Sequence, residues 1–159
     1  MNIVSVDISG KVVRYDSALY DEVRLNCGSE SILFLTPYNT ITNTTSSSRL
    51  FQIVPYKFAN SENIFKRVLK ACECFLNYLQ LGIIINKENP DILHFQWLPF
   101  LDVSTIEKYF LRRYKNKNQY IKIVLTIHNI YPHNFSVKEK QAYRERFLKV
   151  INLIDHFIV

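Results

Sequence analysis

Four histidines occur in 159 residues, and three of them stand beside other groups that recognise polar ligands. His94 belongs to His94-Phe95-Gln96-Trp97. If that segment is a strand, His94 and Gln96 share one face while Phe95 and Trp97 share the other. His128-Asn129 directly follows Thr126-Ile127, and Tyr131-Pro132-His133 comes next. In an open parallel sheet both segments would end on the side where ligands bind. Gly10-Lys11 adds a place where backbone can approach a ligand beside a cation. Ser136 opens a helix whose free N–H groups favour an anion. Each of these has a purely structural counterpart: His94 as a hydrogen-bonding group inside a sheet, Trp97 as a packing aromatic at a cleft edge, His133 as a loop residue. No carboxylate or thiol supports the histidines at metal-ligand spacing, so no metal is expected. No nucleophile elbow is present either.

Charge narrows the partners. The formal net charge is +6, but residues 108–149 hold 11 Lys and Arg against only Glu139 and Glu145, leaving the rest of the chain at −3. Such a segment is either the solvated face of surface helices or a patch for anionic lipid, nucleic acid or a phosphorylated substrate. Arg112, Arg113, Lys115 and Lys117 form its densest part. Glycine occurs only at 10, 28 and 82, so neither a P-loop nor a dinucleotide fingerprint can be drawn. The three cysteines, Cys27, Cys72 and Cys74, read as reduced thiols in or near the core of a cytosolic protein. Met1 to Gly10 lacks the basic and apolar regions of a signal peptide, and the short apolar runs predict no membrane span.

These residues need positioning. Ile3 to Ile8 reads as a strand, 16–26 as a helix and 31–36 as a buried strand. Residues 39–49 are nearly all Asn, Thr and Ser and read as an exposed loop. Phe51 to Pro55 predicts a strand. Ser61 opens a long helix to about Gly82, with Ile64, Val68, Cys72, Phe75 and Leu79 as its core face. Asp91 to Trp97 and Lys122 to Ile127 read as strands. Capping boxes at Ser104–Glu107 and Ser136–Glu139 each open a helix. Asp155 to Val159 begins a final, buried strand. The order β-α-β-β-α-β-α-β-α-β implies an α/β fold: a doubly wound, mostly parallel, Rossmann-like sheet with helices on both faces. An apolar strand at the end suggests the N-terminal part of a longer protein. Ligands of such sheets bind beyond the strands' C-terminal ends, where Gly10, Trp97 and His128 would meet.

The stretches Pro90-Asp91-Ile92-Leu93-His94-Phe95-Gln96-Trp97-Leu98-Pro99 and Lys122 to His133, with the ending Ile154 to Val159, resemble the N-terminal domain of GT-B glycosyltransferases, especially the retaining family 4 group. The likeness covers residues 90–159, with 1–60 following by element order. It implies that residues 1–159 are one Rossmann-like, acceptor-binding half, inactive alone. The nucleotide-sugar would be held mainly by a second half with a Glu-x7-Glu pair, and no cofactor would be tightly bound. Glu22 and Glu30 share that spacing but fall in the first helix and the turn after it. By the same resemblance, His128 lies near the transferred sugar and Gly10 near the donor phosphates. Lys11, His94, Gln96, Trp97, Asn129 and His133 line the substrate site, and the basic segment meets a saccharide or lipid-linked acceptor at an anionic inner membrane surface. The competing reading is a non-enzymatic basic module. Tyr109, Phe110, Tyr114 and Tyr120 interleave with its cations as they would in a nucleic-acid binder.

Overall fold

A computed structural model of the chain describes residues 1–9, 18–19, 21–23, 25–26, 32–36, 47–50, 63–128 and 135–159. The described strands are β1 (Ile3–Asp7), β2 (Ile32–Thr36), β3 (Ser47–Arg49), β4 (Ile92–Trp97), β5 (Lys122–Thr126) and β6 (His156–Ile158). They form one sheet in the order β3-β2-β1-β4-β5-β6, and every pair is parallel. Three long helices connect them: α1 (Ile64–Glu88), α2 (Ile106–Lys117) and α3 (Val137–Ile151). Further helical residues lie within 18–26. The fold is therefore α/β and Rossmann-like, as the alternation of elements predicts.

Register explains the two faces. Leu35, Val6, Phe95, Leu125 and Phe157 lie side by side across five strands. All but Phe157 are buried, and they pack into one core with Tyr78, Leu81 and Ile85 of α1, Phe110 and Tyr114 of α2, and Val150 of α3. Burying each such side chain stabilises the fold by about 1.5–3 kcal/mol. Right-handed crossovers put α1, α2 and α3 on this same face, because each leads toward β6. The β1-to-β2 crossover leads the other way, and there Val23 packs with Ile3 against Phe34.

Several local expectations need correction, and one falls outside the described residues. Residues 47–49, expected in an exposed loop, pair with β2 as β3. The strand expected at 51–55 lies outside the described residues. In α1, the face expected in the core points outward: Ile64 is 74%, Val68 54% and Leu79 46% exposed, and Phe75 and Cys72 are exposed as well. The inward face instead carries Lys70, Glu73, Cys74, Asn77, Tyr78, Leu81 and Ile85. Its polar members are satisfied within the fold. Lys70 pairs with Glu73, and Asn77 Nδ2 donates to the Ile8 carbonyl at 3.1 Å, where the ladder of β1 has ended. By length and composition α1 is apolar enough to cross a membrane, which the short apolar runs did not suggest. The strand at the chain's end is also not buried, since Phe157 and Ile158 of β6 are exposed.

Helix ends follow their caps. Asn63 Oδ1 accepts from Phe65 N at 3.0 Å, and Asn89 closes α1 in a left-handed conformation. The Ser136–Glu139 capping box opens α3 as expected. The Ser104–Glu107 box does not form, because Glu107 turns into the core. There its Oε1 accepts from the Phe100 N–H and the Tyr78 hydroxyl. Tyr114 in turn donates to the Tyr78 carbonyl, so α1, α2 and the loop after β4 share one buried polar cluster.

Burial pushes the Glu107 carboxyl up to about 8, from an ordinary 4.5. The folded chain thus keeps a proton that the unfolded chain releases. This contribution is complete below the unfolded value and is lost as pH rises through about 8. The parent should lose up to about 1.4 kcal/mol per pH unit across that window relative to Glu107→Gln. Urea unfolding of both proteins at about pH 5 and about pH 8 measures the difference. Parallel pH profiles would contradict a buried, protonated Glu107.

Candidate functional site

The strand order reverses direction between β1 and β4, because the chain first winds outward to β2 and β3 and then returns. Crevices at such reversals, beyond the C-terminal strand ends, are where open parallel sheets bind ligands. At this rim the register shifts: Val6 pairs with Phe95, but Asp7 pairs with Trp97. Gln96 is the extra residue of the resulting bulge, a feature that re-aims side chains next to sites.

The bulge places Trp97 as a wall between two cavities. The first, about 340 Å³, lies between the ends of β1 and β4 and the first turns of α1. Ile64, Val68, Phe100 and Val103 make its wall largely apolar, and Ser9, Arg67 and Asp102 add polar groups to it. The second, about 260 Å³, lies between the ends of β4 and β5 and helix α3. It is lined by Leu98, Leu101, Leu125, Tyr143 and Phe147, with the exposed Arg144 at its edge. Trp97 itself is buried and belongs to both linings. His128 follows β5 on the same rim and is half-buried. Its ring packs across Trp97 with centroids 6.4 Å apart and planes 30° apart.

The rim is held rigidly. Asp7, fully buried, accepts from Ser9 N at 3.1 Å and from Ser9 Oγ at 3.2 Å, which bends the chain as it leaves β1. The loop after Trp97 is fixed by Glu107 at Phe100 N and by Arg146, whose guanidinium donates to the Leu101 carbonyl at 2.7 Å and to the Asp102 carbonyl. Arg67, Lys70, Arg144 and Arg146 were not singled out from sequence. The one available signal was a Lys70–Glu73 pair, at i and i+3, inside an otherwise apolar helix.

The expected site residues fare differently. Gly10, Lys11, Asn129 and His133 lie outside the described residues. His94 is buried within the sheet, on the face opposite the three long helices. Its ring bridges Ser5 Oγ (3.2 Å from Nδ1) and Thr126 Oγ1 (2.8 Å from Nε2). Both nitrogens are thus occupied by neighbouring strands, and His94 holds β1, β4 and β5 together. Gln96 is fully buried, and neither its Oε1 nor its Nε2 has a hydrogen-bond partner. Such a group costs about 1–3 kcal/mol. In the basic segment, Arg112, Arg113 and Lys117 are exposed. Lys115 is not part of an open patch, because it pairs with Asp155 at 2.8 Å. Asp155 also accepts from Ile123 N at 2.8 Å, so that ion pair ties α2 to β5 at the start of β6. Of the interleaved aromatics, Phe110 and Tyr114 are core residues, which leaves only Tyr109 and Tyr120 for stacking.

Titration limits the chemistry. Burial pushes the Cys74 thiol up to about 12, so it carries no thiolate at neutral pH. Cys72, expected in or near the core, is exposed because it lies on the outward side of α1, and Cys27 lies outside the described residues. Among the described residues, no three His, Cys, Asp or Glu side chains come together as a metal site.

Burial, with the charge of His128 adding to it, lowers His94 to about 4 from an ordinary 6.5. The depressed value means that its contribution is present above the unfolded pKa and is lost as pH falls toward about 4. His94→Ala should destabilise the fold by about 1–3 kcal/mol at neutral pH, because the Ser5 and Thr126 hydroxyls lose their shared partner. The deficit should shrink as pH falls through that window, which thermal melts at several pH values would read. A deficit that stays constant or grows would show that the ring is not buried neutral.

Compared with protein-family models, curated proteins and solved structures, the chain matches none of them.

Proposed function

We propose that this chain is the acceptor-side half of a glycosyltransferase, one that moves a sugar from a nucleotide-sugar onto a saccharide or lipid-linked acceptor. The observation that carries this reading is the placement of Trp97, a single indole shared by two cavities at the reversal point of the sheet, both largely apolar and the first with more polar groups in its wall. An indole face suits the C–H face of a pyranose. Arg67 would favour phosphate in the first cavity. The apolar second cavity, with Arg144 at its edge, suits the chain and phosphate of a lipid carrier. His128 would hydrogen-bond a sugar hydroxyl or stabilise charge at the anomeric carbon, and would not act as a nucleophile. The donor would be gripped mainly by a second domain. The resemblance of residues 90–159 to family 4 N-terminal domains supports the same assignment. The basic-module alternative is weaker, because half of its stacking aromatics are buried.

Trp97 is the sole tryptophan, so its fluorescence reports on this rim alone. A short-chain prenyl-phosphate saccharide should change the emission saturably. His128→Ala should weaken that binding about tenfold, the equivalent of about 1.4 kcal/mol. Nucleotide-sugars alone should remain intact in the presence of the chain. A response to single-stranded oligonucleotides but to no saccharide would favour the basic module. Release of nucleoside diphosphate by the isolated chain would overturn the proposed division between donor and acceptor halves.

A further inference from the structure

Helix α1 has two apolar faces, and only one meets the sheet. Phe65, Val68, Leu76, Leu79 and Ile83 point outward, all exposed. At 100° per residue they form a band about 80° wide, running roughly 27 Å along the axis. No charged residue falls within the band: Lys66, Arg67, Lys70 and Glu73 lie on other arcs of the helix. Exposed apolar side chains this continuous mark a contact surface rather than scattered surface residues.

The surrounding charges select what covers it. Lys87 borders its end. Alongside, α2 contributes the exposed Arg113 and Lys117, which share a shallow groove with Gly82 and Ile83, and Arg112 lies beyond them. Glu88, at the end of α1, is paired with Lys87 at 3.2 Å. A flat, anionic surface meets these cations with opposite charge. Spanning the bilayer is excluded by the inward face, which holds the Lys70–Glu73 pair and Asn77 against the fold.

We propose that the outward band of α1, bordered by Arg112, Arg113 and Lys117 of α2, seats this protein on an anionic lipid bilayer, with the helix lying in the plane of the interface. The inference stands on the exposed band and its cationic border, and it does not depend on the carbohydrate reading.

Co-sedimentation of the chain with phosphatidylglycerol vesicles and with phosphatidylcholine vesicles tests it. The chain should bind the anionic vesicles and bind the zwitterionic ones weakly, and added salt should release it. Val68→Glu with Leu79→Glu should reduce binding about tenfold or more, as should Arg112→Glu with Arg113→Glu. All four positions are exposed, so the variants should keep the parental melting temperature. A second readout needs no change in the band. In Cys27→Ser protein, a polarity-sensitive dye on Cys72, which also faces outward, should shift to the blue when anionic vesicles are added. Unchanged binding by Val68→Glu/Leu79→Glu, binding to neither vesicle, or a dye that does not respond would overturn the proposal. So would a parental dimer in sedimentation velocity that those two glutamates convert to monomer, since a second copy would then be the occupant.

Discussion

The loop between β4 and α2 is the constraint on which the rim depends. It leaves the sheet at Trp97 and must turn back across the helical layer within a few residues. Two helices hold it from opposite sides, Glu107 of α2 at the Phe100 amide and Arg146 of α3 at the Leu101 and Asp102 carbonyls. Backbone groups that would otherwise be stranded near the core are thereby satisfied. Because the same short loop borders both cavities, their shapes are coupled through Trp97.

Polar groups inside the fold have a consistent logic. Two sit where the ladder of β1 ends, and one bridges strands within the ladder. Asn77 reaches the Ile8 carbonyl just past β1, Asp7 folds the next residues back on themselves, and His94 joins three strands through two hydroxyls. Gln96 is the exception, enclosed at the bulge with both amide atoms unmatched. A parallel sheet needs its middle strands apolar on both faces. In β4 that rule is relaxed on one face, in the last turns of the ladder before the crevice.

Much of the architecture was legible in the sequence. β-branched runs and spacing located β1, β4 and β5 to within a residue, capping residues located the starts of α2 and α3, and the order of elements implied the parallel winding. What was not legible is instructive in α1. Helical periodicity fixes the angle between residues, but it does not say which of two apolar faces turns inward. Lys70 and Glu73 argued for an outward face when read separately. As a mutually neutralised pair they tolerate burial, so the larger aliphatic and aromatic set was left outside. Glu107 misled in a similar way. The Ser104–Glu107 spacing fits a capping box, yet tertiary partners at Phe100 and Tyr78 compete for that carboxyl and win. At the site, Trp97 and His128 were recoverable because strand ends are. Arg67, Lys70 and Arg144 were not, because they reach the rim from helices whose orientation only packing decides.

The lateral margins of the sheet carry a last implication. β3 and β6, the outermost strands, are each three residues long. Unpaired N–H and C=O groups along a sheet border are a template for foreign strands, and their hazard grows with the length of the uninterrupted border. Among the described residues, β3 and β6 each offer scarcely more than one repeat of that template, and the exposed Phe157 and Ile158 stand on the short border of β6.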